Sequence, residues 1–204
     1  MTRVLLATRN AKKLGELQRI LGDQVTVLGL PDVPEFPEEP ETGATFEENA
    51  VAKAAQAAAA TGEISLADDS GLAVDALNGM PGVLSARWAG RHGDDSANNA
   101  LLLAQLGDVP EERRGAAFVC ALALAVPGAE PIVRRGEWRG RIVREPSGDN
   151  GFGYDPLFVP TESDVSGDGR TSAALAPAEK DRLSHRGLAT ALMLPDLRVA
   201  LGLS

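Results

Sequence analysis

Two carboxylates stand side by side in Asp68-Asp69-Ser70-Gly71, between the apolar runs Ile64–Ala67 and Leu72–Val74. Successive strand residues point to opposite faces, so unless the chain turns between them only one aspartate can face a given cleft, and the other is structural. A carboxylate so placed can ligate a hard cation such as Mg²⁺ or act as a general base, because a metal-bound water becomes a nucleophile near neutral pH. The competing reading is an Asx-type turn in which both carboxylates accept backbone N–H groups. A second segment, Thr8-Arg9-Asn10-Ala11-Lys12-Lys13, joins an expected strand to an expected helix. The free N–H groups of a helix N-terminus with lysine beside them suit an anionic phosphate, whereas in the plainer reading Thr8 or Asn10 only caps the helix and the lysines face solvent. The glycine-rich fingerprints of dinucleotide and P-loop sites are missing from it, so neither of those folds is implied.

Two further segments carry chemistry. The chain has eight aromatic residues, yet Phe152, Tyr154 and Phe158 fall within seven positions, in and just after Gly151-Phe152-Gly153-Tyr154-Asp155-Pro156. Glycines let a ligand approach the backbone, aromatic faces stack on nucleobases for about 1–3 kcal/mol per base, and Asp155 can accept a base N–H. The alternative is a hairpin turn with core aromatics. The last segment is Ser184-His185-Arg186-Gly187 with Lys180 upstream. Cations in the first turn of a helix oppose its dipole by roughly 0.3–1 kcal/mol, which argues for a use beyond stability. Arg186 and His185 can donate to a carbonyl oxygen, and Lys180 can reach a phosphate or a base. His92, in Gly90-Arg91-His92-Gly93, has no such company and reads as solvated surface. A Ser-His-Asp hydrolase built on Ser70 and His185 lacks the Gly-x-Ser-x-Gly elbow.

The elements that must position these residues follow from patterning. Val4–Ala7 is a fully apolar run of the kind a buried strand gives, and Asn10–Leu21 places Leu14, Leu17, Ile20 and Leu21 at helical spacing. Val25–Leu28 predicts a second strand and Pro31–Glu41 a polar loop. Thr45-x-x-Glu48 is a capping box that opens a helix ended by Gly62. The acidic pair sits where a strand breaks. Asp95 or Ser96 caps a helix running to Leu106. Phe118–Val126 and Ile132–Val143, joined through Pro127-Gly128, read as long antiparallel strands. The Gly-rich loop Gly148–Gly153 follows, and Ser184 can cap a final helix through Leu192 that Pro195 breaks. The class is α/β with a mixed sheet. With no repeat and no long linker, residues 1–204 form a single domain.

Composition narrows the partners. The chain of 204 residues has 20 Lys+Arg against 29 Asp+Glu and a formal net charge of −9, which argues against nucleic-acid binding and against a basic membrane-surface helix. Lysine is scarce: Lys12, Lys13, Lys53 and Lys180 are the only ones. The longest apolar stretch, Ala116–Val126, is well short of the roughly 20 residues of a transmembrane helix. The N-terminus lacks the apolar core of a signal peptide, so a cytoplasmic protein is expected. The single cysteine, Cys120, sits in an apolar run and reads as a small core residue.

Together the stretches LLATRNAKKLGEL, ETGATFEENAVAKA, LADDSGLAVDALNGMPGVLSARWAG, GFGYDPLFVP and AEKDRLSHRG, in that order from residue 5 to about 187, resemble the non-canonical purine nucleoside triphosphate pyrophosphatases, the inosine triphosphatase family. The resemblance implies an elongated mixed central sheet flanked by helices, two lobes with an active-site cleft between them, and a homodimer. It also implies Mg²⁺-dependent hydrolysis of ITP, dITP or XTP to the monophosphate and pyrophosphate. By position, Asp69 would be general base and metal ligand, and Thr8, Arg9, Asn10, Ala11, Lys12 and Lys13 would hold the triphosphate. Ser70, Phe152, Gly153, Tyr154, Asp155, Lys180, His185 and Arg186 would complete the substrate site. Lys53 is a further phosphate contact or an ordinary solvated helix lysine. Where many relatives carry two acidic residues before Thr-Gly, this chain has Pro40-Glu41-Thr42-Gly43, leaving Glu41 as the candidate second metal ligand. Arg9 stands where a small residue is common, and either adds a phosphate contact or points outward. A free Asp titrates near 3.9, too low for an efficient base near neutrality, so metal polarisation must share the task. The rival activities are a pyrophosphatase for other modified nucleotides and a non-catalytic nucleotide sensor.

Overall fold

The computed structural model describes residues 2–23 and 25–203, apart from the side chains of Thr2, Lys12, Glu16 and Ile20. The elements run β1 (Thr2–Leu6), α1 (Ala11–Leu21), β2 (Val25–Leu28), α2 (Phe46–Thr61), β3 (Ser65–Val74), α3 (Asp95–Gln105), β4 (Gly115–Ala125), β5 (Ile132–Ile142), β6 (Phe158–Pro160), α4 (Thr161–Ser166), α5 (Pro177–Leu183) and α6 (His185–Ala200). Among the described residues the strands form one six-stranded sheet in the order β2-β1-β3-β4-β5-β6. β1 pairs in parallel with β2, Val4 opposite Val27, and with β3, Leu5 opposite Ser65. β5 and β6 are antiparallel, Ile142 opposite Phe158. The fold is therefore α/β with a mixed sheet. Val4, Leu5 and Leu6 are fully buried, as an internal parallel strand covered on both faces requires.

The chain clusters into two compact units. One comprises Met1–Asp69, Cys120–Gly136 and Arg186–Ser204, the other Ser70–Val119 and Glu137–His185. The chain passes from one to the other within β3, β4 and β5 and at the start of α6. The first unit is built on Val4, Leu6, Leu17, Leu66, Leu122, Leu124, Met193 and Leu197, with Cys120 buried among them. The second is built on Leu72, Leu102, Phe118, Trp138, Ile142, Phe158 and Leu175.

Local signals set several boundaries. Thr45 caps α2 by accepting from Glu48 N at 3.1 Å, while the Glu48 carboxylate accepts from Ala44 N at 2.7 Å, one residue earlier than the usual box. Gly62 ends the helix in the left-handed region at φ 73°. Three expectations need correction. β3 runs unbroken through Asp68-Asp69-Ser70-Gly71, because the polar side chains there find partners inside the protein. α6 continues past Pro195 to Ala200; losing one helical bond is offset by burial of Ala189, Met193 and Leu197. The cap of α3 is Asp94, whose carboxylate accepts from Ala97 N at 3.1 Å, in place of Asp95 or Ser96. A short α5, begun by Pro177, also precedes α6.

Candidate active site

In the first unit, the segment after β1 turns on its own side chains. Asn10 N donates to Thr8 Oγ1 at 3.2 Å, and Lys13 N to Asn10 Oδ1 at 3.4 Å, which starts α1 at Ala11. The predicted phosphate segment is thus a helix N-terminus. Lys13 is turned inward, its Nζ 2.9 Å from Asp68 Oδ2. Arg186, in the first turn of α6, places Nη2 3.4 Å from the same oxygen. Arg9 is exposed and donates to Glu38 at 2.8 Å. The side chain of Lys12 lies outside the described residues.

The two aspartates take different partners, as alternation along a strand demands. Asp68 is the hub for Lys13 and Arg186. Full burial alone would raise its carboxyl, but Lys13, Arg186 and Lys53 outweigh this and hold it far below the ordinary carboxylate range. Asp69 instead faces residues of α2. Asn49 Nδ2 donates to its Oδ2 at 2.8 Å, and Lys53 Nζ stands 4.0 Å from its Oδ1. Burial pushes the Asp69 carboxyl above its ordinary value, although Lys53 and the Asn49 hydrogen bond pull the other way. Lys53 is no solvated helix lysine, since it donates to Glu41 Oε1 at 2.8 Å and to the Asp68 carbonyl at 2.7 Å. Its ammonium resists deprotonation: burial alone would lower its pKa, but Asp68, Asp69 and Glu41 raise it. A cavity of about 250 Å³ opens here, lined by Glu41, Gly43, Asn49, Lys53 and Gln56 among others.

In the second unit, the loop after Gly151 is fixed at every residue. Asp155 Oδ2 accepts from Phe152 N at 2.8 Å and from Lys180 Nζ at 2.6 Å, and its Oδ1 accepts from Ser172 Oγ at 2.8 Å. Gly153 is pinned by α3: its N–H donates to Asp95 Oδ2 at 2.7 Å and its carbonyl accepts from Asn99 Nδ2 at 3.0 Å. Tyr154 is buried and donates its hydroxyl to the Ser85 carbonyl at 2.8 Å. Gly151 has φ 82°, and a Cβ there would lie 2.1 Å from Asp155 Oδ2. Of the three clustered aromatics, Tyr154 and Phe158 are core residues. Phe152 remains half-buried, with Lys180 Nζ 5.6 Å from its ring centre. His185 is buried and stacks on Phe118 at 5.0 Å. Ser70, half-buried on β3, follows Asp69 directly. His92 is exposed, as expected.

The residues that pattern reading did not assign to the site are Asn49, Ser172, Asp95, which it read only as a helix cap, and Asn99. A signal existed for three of them. Asn49 precedes Lys53 by four residues, and Asp95 precedes Asn99 by four, so each pair shares a helix face.

Comparison with known proteins places the chain in a family. The Ham1 family model matches residues 4–196. A dITP/XTP pyrophosphatase of Nocardia farcinica is 66% identical over 201 residues, covering 97% of this chain and 95% of that protein. The dITP/XTP pyrophosphatase of Mycobacterium tuberculosis is 63% identical over 202 residues, with 97% and 96% covered. Among solved structures, a nucleoside-triphosphatase / dITP/XTP pyrophosphatase from Mycobacterium abscessus matches with TM-score 0.77 at 61% identity, over 95% of this chain and 99% of that one. The Staphylococcus aureus Ham1 protein matches with TM-score 0.84 at 39% identity, over 96% and 98%. With the family model matching residues 4–196, and relatives this similar over nearly their whole length, the chain belongs to the Ham1 family.

Proposed function

We propose that this chain, acting as one domain, hydrolyses the non-canonical purine nucleotides ITP, dITP and XTP to their monophosphates and pyrophosphate, and so clears deaminated purines from the nucleotide pool. A homodimer and a cytoplasmic location belong to the same reading; among the described residues no helix is long and apolar enough to cross a membrane. The observation that carries it is the setting of Asp69: a carboxylate raised by burial, held by Asn49, and close to the ammonium that also binds Glu41.

The donor set fits Mg²⁺. Two carboxylates, Asp69 and Glu41, converge on the Lys53 ammonium, and no group of three or more His, Cys, Asp or Glu able to hold a metal occurs among the described residues. Mg²⁺ suits such a site because it takes one or two carboxylates and completes its shell with water and substrate phosphates. When bound there it would neutralise phosphate charge and polarise water. The chain's residues do the rest. Lys13 and the N-terminus of α1 bind the triphosphate, with Thr8, Asn10 and Ala11 shaping the turn and Arg9 and Lys12 adding charge. Asp69 takes the proton from a water whose oxygen attacks the α-phosphorus. The bond from that phosphorus to the bridging oxygen breaks, and pyrophosphate leaves.

The base is read by donors. Phe152 supplies a face, with Ser70 beside the site, and Lys180, His185 and Arg186 supply N–H groups suited to a 6-keto oxygen. Asp155 already accepts from three donors, so its part is to hold Lys180 and Phe152 in place, while Gly153 and Tyr154 anchor the loop. Adenine offers a 6-amino donor instead, leaving these groups unpaired, a mismatch that can cost about 10⁴-fold in a site built on polar contacts. The test is pyrophosphate release from ITP, XTP, dITP, GTP and ATP with and without Mg²⁺, together with Asp69→Asn. We expect Mg²⁺-dependent turnover of ITP, XTP and dITP well above that of GTP and ATP, and a loss of at least about 100-fold in the variant. Equal rates on ATP, or near-normal turnover of Asp69→Asn, would overturn the proposal.

A further inference from the structure

Asn49 is buried at 3% exposure in the second turn of α2, a poor place for asparagine, which favours caps and turns over helix interiors. Its two amide atoms have different duties. Oδ1 accepts from Gly43 N at 2.8 Å, and Nδ2 donates to Asp69 Oδ2 at 2.8 Å. The first contact fixes the second: a backbone N–H can only meet the carbonyl oxygen, so the amide is turned with its NH₂ toward the carboxylate. Gly43 is matched to this arrangement, since a Cβ there would stand 2.6 Å from Asn49 Oδ1. One turn further along the helix, Lys53 approaches the other oxygen of Asp69 at 4.0 Å. The carboxylate plane is therefore set from both sides by two residues of one helix face.

We propose that Asn49 is a positioning residue for catalysis, transmitting the fixed backbone of Gly43 to the carboxylate of Asp69 so that Oδ1 is presented in one orientation. The inference rests on the role proposed above for Asp69. Residues that orient a ligating or reacting carboxylate typically cost about 10–100-fold when replaced, and small misplacements of reacting groups cost as much.

The test uses the full-length protein with Asn49→Asp, Asn49→Ala and Asp69→Asn. Measured quantities are kcat and KM for ITP with Mg²⁺, the affinity for inosine monophosphate by calorimetry, and Tm. Asn49→Asp keeps an acceptor for Gly43 N and removes the amide donor to Asp69. If Asn49 only ties down Gly43, this variant retains normal kcat. The positioning role predicts that both Asn49 variants lose kcat by about 10–100-fold, with KM and monophosphate affinity within about threefold. Normal kcat in Asn49→Asp beside an inactive Asp69→Asn overturns the inference and leaves the proposed function standing. A rise in KM at unchanged kcat overturns it likewise. Near-normal turnover in Asp69→Asn overturns the proposed function, and this inference with it. Should Asn49→Asp fail to fold, the kcat-against-KM split in Asn49→Ala decides.

Discussion

Replacing Asp68 with asparagine keeps the shape of the side chain and removes its charge. In the native protein that carboxylate holds Lys13 at 2.9 Å and Arg186 at 3.4 Å, and their side chains are 18% and 7% exposed. Each charge-assisted contact is worth roughly 1.5–3 kcal/mol, and breaking a buried pair by removing one partner costs about 3–5 kcal/mol because the other charge stays buried. The 3.4 Å contact is long, so the lower part of the range applies, about 3–4 kcal/mol. For a chain of this size each kcal/mol shifts Tm by about 2–4 °C, which makes the expected fall about 6–16 °C. The pH dependence has a definite sign. The folded carboxyl titrates far below its ordinary value, so the stability it contributes is present above the unfolded pKa of about 3.9 and is lost as pH falls toward the folded one. Denaturation followed by circular dichroism should give a wild-type-to-variant gap that is flat between about pH 6 and 8 and narrows below about pH 4. A variant within about 1 kcal/mol of wild type at neutral pH, or a gap that widens in acid, would refute the hub.

Two other perturbations separate the loop from the framework. Gly151→Ala forces a side chain into the left-handed region, at about 1–2 kcal/mol, and drives a Cβ into Asp155 and toward Lys180; steady-state kinetics should show KM for ITP raised about tenfold or more, and an unchanged KM would contradict the loop's role. Arg114 is buried and donates to the carbonyls of Leu106, Ile142 and Val143. Arg114→Met takes the donor from the Ile142 and Val143 carbonyls, at roughly 1–3 kcal/mol each, while the Leu106 carbonyl still accepts from Val109 N, so thermal denaturation should show a fall of at least about 4 °C.

Where a signal was local, it could be read from the chain. The apolar run at Val4–Leu6 and the cap at Thr45 depend on neighbours within a few residues, and both lie where patterning puts them. Expectations failed where distant residues decide. The polar string Asp68-Asp69-Ser70 reads as a break because four of the groups that stabilise an extended chain there, Lys13, Asn49, Lys53 and Arg186, lie 15 to 118 positions away in sequence. Pro195 reads as a helix end because the penalty of about 3 kcal/mol is local, whereas burial of Met193 and Leu197, worth roughly 1.5–3 kcal/mol each, comes from packing. α5 spans only seven residues, too short for a periodic signal.

The same distinction governs the site. Scarcity makes the four lysines informative, and three of them end on cluster carboxylates: Lys13 on Asp68, Lys53 on Glu41 and Lys180 on Asp155. Composition could mark those lysines but not their partners, which fold brings from 55, 12 and 25 positions away. Their pairing also changes what the cations can do. Around Asp69, the described cations Lys13, Lys53 and Arg186 meet the carboxylates Asp68, Asp69 and Glu41 before any substrate arrives. Carboxylates paired in this way offset the attraction these cations hold for a triphosphate, and each lysine that turns to phosphate leaves a buried carboxylate exposed to its repulsion. Asp69 and Glu41 would hold a divalent cation there, which would offset that repulsion and leave Lys53 to the phosphates. On the proposed reading, Mg²⁺ is therefore needed for binding as well as for the chemistry of water, and the acidity of the chain makes that dependence stronger.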